Sequence, residues 1–237
     1  MRLLALGAHP DDIEIYMFGT LAAAVARGDD VVLAIVTDGA AGGGGDPAEL
    51  RRTRQAEASV AARLLGLTPR FLDFSDGTLV ADAGLVATLR SIIVETAPDL
   101  VITHAPNDYH GDHRALSDAV RIAAGFTAPV LWADNMQGAG FVPTHYVDIT
   151  GHFATKVEAI RANASQDPER FVIAAERLNA FRASQANGWP PCYAEAFRFE
   201  PSFPFVDIRE LLPPAPPLRP VSDRRKPRGP GHSGVCP

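Results

Sequence analysis

Residues 3–12 have the sequence LLALGAHPDD, an apolar run that ends in a turn followed by two carboxylates. A run of this length is typical of a buried strand, and the glycine and proline mark the turn that ends it. Residues 13–27 are alanine-rich and are closed by Gly28, which predicts a helix with a glycine stop. Residues 31–36 form a second apolar run and predict the next strand.

This strand–helix unit recurs through the first 135 residues. Three further strands are predicted, at residues 71–74, 100–103 and 130–133. Helical patterns separate the later strands, at residues 49–65, 85–96 and 113–124. Repeated β-α-β units joined by right-handed crossovers build a mostly parallel sheet with helices on both faces. Because residues 144–200 add two strands and two helices, we expect a single α/β domain over residues 1–212.

The composition is that of an ordinary globular protein, with 46% hydrophobic and 21% charged residues among 237. A net charge of −6 argues against a nucleic-acid partner held through its phosphates. The two cysteines, Cys192 and Cys236, are too few for a disulfide framework. No apolar stretch approaches the ~18 residues that cross a bilayer. We therefore expect a cytoplasmic protein without a membrane span, and leave homo-oligomerisation open.

The character of the chain changes at Pro213. Residues 213–237 hold eight prolines, and five Lys or Arg against one Asp. A segment this poor in apolar residues cannot offset its ordering entropy, so we expect a basic, disordered tail. Its P-x-x-P spacings, at Pro214/Pro217 and Pro217/Pro220, leave a polyproline ligand as the alternative.

A second polar cluster follows the strand predicted at residues 100–103, where residues 104–113 have the sequence HAPNDYHGDH. In an open parallel sheet of order 3-2-1-4-5, strands one and four flank the crevice in which ligands bind. The two clusters should then face each other across it. Histidines and carboxylates from both loops predict a His₂Asp metal site with an open position, which is typical of catalytic zinc. The same ligands suit non-haem iron, so the choice of metal stays open.

Other features have plainer explanations. The glycines of residues 42–45 lack the G-K-[ST] ending of a phosphate loop, so we expect a mobile loop over the crevice instead. An isolated Asp pair such as Asp11 and Asp12 is also common as a helix N-cap. Outside the two clusters, we assign structural roles to His145 and His152. We assign core packing to Trp132, Trp189 and Tyr193, with the lining of an aglycone pocket as the alternative.

These residues resemble the PIG-L/LmbE-like N-acetylglucosaminyl deacetylases, over roughly residues 2 to 200. Two motifs are the most specific, His9-Pro10-Asp11-Asp12 and His110-x-Asp112-His113. The likeness continues through Thr37-Asp38-Gly39, Arg54-x-x-Glu57, Val147-Asp148-Ile149-Thr150, Ser165-Gln166 and Tyr193-Ala194-Glu195-Ala196-Phe197. The resemblance implies a Rossmann-like fold and a zinc-dependent enzyme that uses a metal-activated water to remove the N-acetyl group of an N-acetylglucosamine-type conjugate.

The resemblance also implies residue roles. The zinc ligands would be His9, Asp12 and His113, although iron(II) or another divalent metal could replace zinc. Asp11 would be the general base, and His110 the acid or the group that stabilises the oxyanion.

Two further residues have expected roles. Arg54 would reach the substrate, as an arginine does in family members. Asp112 is placed in the sequence to orient a histidine by a hydrogen bond. The chain departs from the family pattern at Gly111, where proline is usual, and at Asn163, where many members have histidine.

Two other classes of function compete with the hydrolase. One is a non-catalytic metal- or sugar-binding module on the same fold, and the other is an iron(II) oxygenase with the same ligands. A pure binding site needs only ligands, whereas Asp11 would be a spare carboxylate beside the metal. The sequence therefore favours the hydrolase.

Overall fold

A computed structural model describes residues 1–208 and 211–216. The strands are β1 (Arg2–Gly7), β2 (Asp30–Thr37), β3 (Arg70–Phe74), β4 (Leu100–His104), β5 (Val130–Ala133), β6 (His145–Asp148) and β7 (Ala194–Phe199). The helices are α1 (Asp12–Tyr16), α2 (Phe18–Arg27), α3 (Pro47–Arg63), α4 (Ala83–Thr96), α5 (Gly111–Ala123), α6 (Phe153–Ala162) and α7 (Pro168–Gln185). None of the helices in the described residues is long and apolar enough to cross a membrane.

The seven strands form one sheet in the order β3-β2-β1-β4-β5-β7-β6. The first five in this order are parallel, and β7 runs antiparallel to both β5 and β6. Ala5 on β1 is paired with Leu33 on one side and Ile102 on the other. The strand order thus reverses between β1 and β4, so the loops after these two strands lie side by side. The predicted α/β, mostly parallel sheet is confirmed.

Side chains of β1 alternate between two hydrophobic cores. Leu3 and Ala5 pack on the face covered by α1, α2, α3, α6 and α7. Leu4 and Leu6 pack on the opposite face, against α4 and α5. All four are fully buried, as the period of two along a strand requires when both faces are covered. The predicted helices on both faces are therefore present.

The prediction of one helix over residues 13–27 is wrong in one respect, because the structure has two helices there, separated at Met17. Met17 has φ −144°, outside the helical range, so α2 begins afresh at Phe18. The Glu195 carboxylate accepts hydrogen bonds from the N–H groups of Gly19, at 3.0 Å, and Thr20, at 2.7 Å. The break frees these first-turn donors, and a partner from the distant strand β7 satisfies them.

Glu195 is also paired with a cation. The Lys156 Nζ on α6 contacts Glu195 Oε1, and both side chains are 1% exposed. The start of α2, strand β7 and helix α6 are therefore joined by one buried, charged hydrogen-bond network.

The described residues near the C-terminus contact the domain. Arg27 donates to the carbonyl oxygens of Leu211 and Leu212, and the Asp148 N–H donates to the carbonyl of Pro214. The start of the segment predicted as a tail therefore lies against the body. The remainder of that prediction, including Pro217 and Pro220, lies outside the described residues.

Candidate metal centre

The loop after β1 presents two carboxylates in different directions. Asp12 is the first residue of α1, and its Oδ2 accepts a hydrogen bond of 2.6 Å from the His9 N–H. Asp11, one residue earlier, has φ 133° and ψ −22°, a backbone conformation that non-glycine residues rarely adopt. Such strain is concentrated at functional sites.

The loop after β4 leads directly into α5. Asp108 Oδ1 accepts from the His110 N–H at 3.0 Å. His110 is the N-cap of α5, where its Nδ1 accepts from the Asp112 N–H at 3.2 Å. His113 follows in the first turn of the helix and is 2% exposed. The helix was predicted to begin near His113 and in fact begins at Gly111, because His110 supplies the cap.

The two loops bring three of the predicted residues together. His9 Nδ1 lies 3.2 Å from Asp12 Oδ2 and 3.2 Å from His113 Nε2, while Asp12 Oδ1 lies 3.2 Å from His113 Nε2. Ligand atoms of a tetrahedral metal with bonds of about 2.0–2.1 Å are separated by about 3.3 Å. The spacing of these three groups therefore fits a divalent cation.

The other nitrogen of each histidine faces a carboxylate. His9 Nε2 lies 3.1 Å from Asp112 Oδ2 and 3.2 Å from Asp76 Oδ1. His113 Nδ1 lies 3.1 Å from Asp108 Oδ2. A proton held on these outer nitrogens leaves the inner ones with free lone pairs, as in carboxylate–histidine–metal arrangements.

The cluster favours positive charge at its centre. Burial lowers the pKa of His9, but the charge of Asp12 and hydrogen bonds to Asp112, Asp12 and Asp76 outweigh it and raise the pKa to about 12. Burial likewise lowers the pKa of His113, but Asp12 and Asp108 raise it to about 9. Burial raises the pKa of Asp12, yet the surrounding histidines hold it well below its usual range. Either bound protons or a metal ion would supply the positive charge that the carboxylates of this cluster favour.

Three groups of possible ligands overlap at this centre: His9 with His110 and His113, Asp12 with His104 and His113, and His9 with Asp76 and Asp112. Of the predicted ligands, His9 and His113 belong to the first group, and Asp12 and His113 belong to the second. In the second group, the His104 ring stacks on that of His113, with centroids 3.8 Å apart. His104 was quoted in the sequence as part of the second cluster, without a role.

Asp11 lies beside this cluster and faces Arg54. Its Oδ2 is 3.2 Å from Arg54 Nη2. Burial raises the pKa of Asp11 most strongly and the charge of Asp12 raises it further, while Arg54 opposes both, so the pKa reaches about 7. Asp11 is therefore a carboxyl group that can exchange a proton near neutral pH.

Arg54 on α3 is 3% exposed and is held by the backbone. Its Nη1 donates to the Gly39 carbonyl at 2.9 Å and its Nη2 to the Pro10 carbonyl at 2.8 Å. Its Nη1 is 3.6 Å from Asp76 Oδ2. The arginine expected to reach the substrate thus lies at the site, where it contacts Asp11 as well.

The glycine-rich loop after β2 packs on this arginine. A Cβ added at Gly42 would lie 2.1 Å from Arg54 Nη1, whereas one added at Gly44 would meet nothing within 4 Å. Only part of the loop therefore requires glycine for close packing.

A cavity of about 330 Å³ opens onto the cluster. Its walls include His9, Asp11, Asp12, Tyr16, Gly42, Arg54, Asp76, Tyr109, His110, His113, Gln166, Arg170 and Phe171. Asp112 lies behind His9 and is not part of the wall. Trp132, Trp189 and Tyr193 do not line it either. Trp132 packs with Ala105 and Phe141, and Tyr193 stacks on Phe153. Trp189 is 53% exposed, so the core packing expected for it is wrong.

Sequence reasoning missed several residues of the site. Asp76 follows β3, outside both motifs, and only its place after a strand could have suggested it. Asp108 was quoted within the second cluster without a role. Arg170 and Phe171 lie in the first turn of α7, and the neighbouring Ser165-Gln166 motif was the one signal for this wall. Asn163, the departure from the family pattern, is buried and is not part of the wall.

The fold and the site together define an α/β protein with a candidate divalent-metal centre where the strand order of its sheet reverses. The chain belongs to the PIG-L family, since residues 4–124 match the family model described as GlcNAc-PI de-N-acetylase. It is 31% identical over 189 residues to the diacetylchitobiose deacetylase of Thermococcus kodakarensis, and the alignment covers 71% of each chain.

Two solved structures share the fold. The N,N'-diacetylchitobiose deacetylase of Pyrococcus horikoshii has a TM-score of 0.73 at 24% identity, covering 84% of this chain and 83% of that one. GalB, the 4-carboxy-2-hydroxymuconate hydratase of Pseudomonas putida KT2440, also has a TM-score of 0.73, at 22% identity, covering 83% of this chain and 95% of that one. At such identities the likeness is one of fold, and the fold carries both deacetylation and hydration.

Proposed function

We propose that this chain is a zinc-dependent N-deacetylase that hydrolyses the acetamide of an N-acetylated amino-sugar conjugate, of the N-acetylglucosamine type. One observation carries the proposal beyond metal binding: Asp11, with a pKa raised to about 7, lies beside the ligand cluster in the cavity wall. The family match and the deacetylase relative support the choice of reaction.

His9, Asp12 and His113 would hold the metal. Their mutual distances of 3.2 Å and the carboxylates behind both imidazoles support this set. Catalytic zinc sites typically have three protein ligands, which is the number that this set would supply. When bound, the metal lowers the pKa of a water molecule and polarises the amide carbonyl.

Asp11 would act as the general base. It touches Arg54 rather than a histidine of the ligand set, so its carboxylate can accept a proton while Asp12 serves the metal. A pKa near the working pH gives the best compromise between being deprotonated and being basic. Arg54 would hold this carboxylate in place and keep enough of it ionised.

His110 would stabilise the developing oxyanion or protonate the leaving amine. Because its Nδ1 accepts the Asp112 N–H, a neutral ring carries its proton on Nε2. Burial and the nearby charge of His9 lower the pKa of His110, which supports the neutral form. A neutral imidazole can donate a hydrogen bond to an oxyanion without the cost of a buried charge. Protonation of the leaving amine would need the imidazolium, so the lowered pKa favours the oxyanion role.

The hydratase shares this fold at the same TM-score as the deacetylase, so fold alone does not choose between the reactions. The non-catalytic binding module remains the alternative. A binding module would give Asp11 no function, although its strained backbone and buried carboxyl group lower the stability of the fold.

The test is a hydrolysis assay on the purified chain. N-acetylated amino-sugar conjugates are incubated with the protein, and released acetate and free amine are both measured. We expect equal amounts of the two products, loss of activity on chelation and recovery with added zinc. The proposal is wrong if the metal-loaded protein releases no acetate from any conjugate, or if a thoroughly chelated protein releases it just as fast.

A further inference from the structure

His104 is a buried residue beside the metal centre that the proposed mechanism does not use. It is the last residue of β4, and its side chain is fully buried. Its Nε2 lies 3.1 Å from Asp12 Oδ2, and its ring stacks on that of His113 with an angle of 12° between the two planes. One side chain thus contacts two of the three proposed ligands.

The stack of His104 on His113 is held by the backbone. Ser117 Oγ lies 2.7 Å from the carbonyl oxygen of His104 and 2.7 Å from that of His113, which joins the end of β4 to the first turns of α5. The ring of Tyr16 packs edge-on against that of His104, with centroids 5.3 Å apart. The position of the His104 ring relative to the ligands is therefore fixed.

The surroundings of the two ring nitrogens of His104 indicate which one carries the proton. Nδ1 is buried and has no hydrogen-bond partner among residues 1–208 and 211–216, so a proton there would be buried without an acceptor. Nε2 faces the Asp12 carboxylate, and a hydrogen bond to an ionised group is about twice as strong as one between neutral groups. A neutral His104 should therefore carry its proton on Nε2.

One contact of Nε2 opposes this tautomer. The Ala8 N–H also points to His104 Nε2, at 3.1 Å, and would need a lone pair there. A proton on Nε2 costs this one neutral hydrogen bond. A proton on Nδ1 would cost the charged hydrogen bond to Asp12 and would also leave a buried N–H group unpaired. The balance favours the proton on Nε2.

With this tautomer, the two oxygens of Asp12 have different partners. Oδ2 accepts hydrogen bonds from the His9 N–H, at 2.6 Å, and from His104 Nε2, whereas Oδ1 faces His113 Nε2 at 3.2 Å. We propose that His104 is a positioning residue of the metal centre, which holds Oδ2 of Asp12 so that Oδ1 stays turned to the metal. This inference rests on the proposed function, because it takes Asp12 and His113 as ligands.

A matched pair of variants separates the hydrogen bond from the ring. His104→Gln and His104→Met have side chains of similar length and both lose the stacking, but only glutamine can donate to Asp12 and accept from the Ala8 N–H. Zinc affinity is measured by competition with a chelator of known affinity, in the absence of substrate. His145→Met, which removes a histidine from the edge strand β6, is the control.

We expect His104→Met to bind zinc about 10–100-fold more weakly than the wild type, as when the hydrogen-bond partner of a ligand is removed. His104→Gln should recover most of this loss, and His145→Met should bind zinc as the wild type does. A merely structural role for His104 would weaken the glutamine and methionine variants alike, because both leave the same space where the ring was.

The tautomer is measured directly by NMR on zinc-free wild type labelled with ¹⁵N in histidine, with the His104 ring assigned through its backbone. We expect the proton on Nε2. This measurement does not depend on the folding of any variant.

The inference is overturned if the proton lies on Nδ1, or if His104→Met binds zinc as tightly as the wild type. Equal weakening in His104→Gln and His104→Met would also overturn it, since His104 would then act through its ring or as a ligand itself. If the wild type binds no zinc, the proposed function fails instead, and the NMR result alone decides whether His104 donates to Asp12.

Discussion

Asp108 Oδ2 lies 3.1 Å from His113 Nδ1, on the ring nitrogen opposite the one that faces Asp12. Asp108 lies in the loop after β4, and His113 lies in α5, the helix that follows this loop. The carboxylate can thus fix which nitrogen of His113 carries the proton, and so which one is free to bind a metal.

Replacing Asp108 should therefore weaken metal binding. We expect Asp108→Ala to lower zinc affinity about 10–100-fold, which is typical when such an outer carboxylate is removed. The measurement is competition for zinc with a chelator of known affinity. Asp118→Ala, on the exposed side of the same helix, is the control. Equal zinc affinity in the Asp108 variant and wild type would contradict the arrangement.

Asp11 and Asp12 should be separable by metal content. Asp11→Asn cannot accept a proton at neutral pH, so turnover should fall about 10²–10⁴-fold while zinc is retained. Asp12→Asn should instead lose zinc, with activity partly restored by excess metal. Elemental analysis and initial rates on the same samples check both. A fully active Asp11→Asn variant would rule out the general base proposed for it.

Activity should rise with pH as Asp11 loses its proton. Its pKa of about 7 places the midpoint of the acidic limb of kcat/KM near neutrality, or lower where a bound cation adds positive charge. Because Arg54 lowers the pKa of Asp11, Arg54→Gln should move this limb to higher pH. Arg51→Gln, whose partner is the exposed Asp73, should leave it in place. Profiles recorded from about pH 5 to pH 9 make the comparison.

The glycine loop offers a matched pair of substitutions. A Cβ at Gly42 would lie 2.1 Å from Arg54 Nη1, so Gly42→Ala should displace the guanidinium from Asp11 and the Gly39 carbonyl. We expect kcat/KM to fall about 10–100-fold, as for lost hydrogen bonds to a charged group. Gly44→Ala meets nothing and should behave as wild type. Similar rates for all three proteins would show that the loop does not hold Arg54.

The buried pair of Lys156 and Glu195 should affect stability. Lys156→Met leaves the Glu195 carboxylate buried without its cation, at a cost of about 3–5 kcal/mol in the free energy of unfolding. The double variant Lys156→Met/Glu195→Gln should recover part of this loss, because no charge is then left unpaired. Denaturant unfolding of the two variants and the wild type measures these differences in the free energy of unfolding. A fully stable single variant would show that water reaches the carboxylate.

The centre of the site could be predicted because its residues are local to two strand ends. His9 and Asp12 are three positions apart, and His110 and His113 begin one helix. Once β1 and β4 are recognised as neighbours at the reversal of strand order, the two groups must meet. This inference needs only the order of the strands, and not the positions of individual side chains.

The remainder depends on contacts that a one-dimensional pattern does not contain. Asp76 reaches His9 only because the loop after β3 passes the end of β2 to meet the loop after β1. The break at Met17 was missed because residues 13–27 resemble one continuous helix, and Glu195, which accepts hydrogen bonds from the freed N–H groups, lies far along the chain. Arg54 was recognisable as a candidate, but its contact with Asp11 depends on how closely the glycine loop packs.

The cavity has two walls that come from different parts of the gene. Residues 4–124, the part that matches the family, hold all the proposed ligands, the base and the arginine beside it. Another part of the wall, Arg170 with Phe171, is encoded more than forty codons downstream of residue 124. The residues proposed for catalysis and those of this wall can therefore change by separate mutations, so a lineage could alter one group without rebuilding the other.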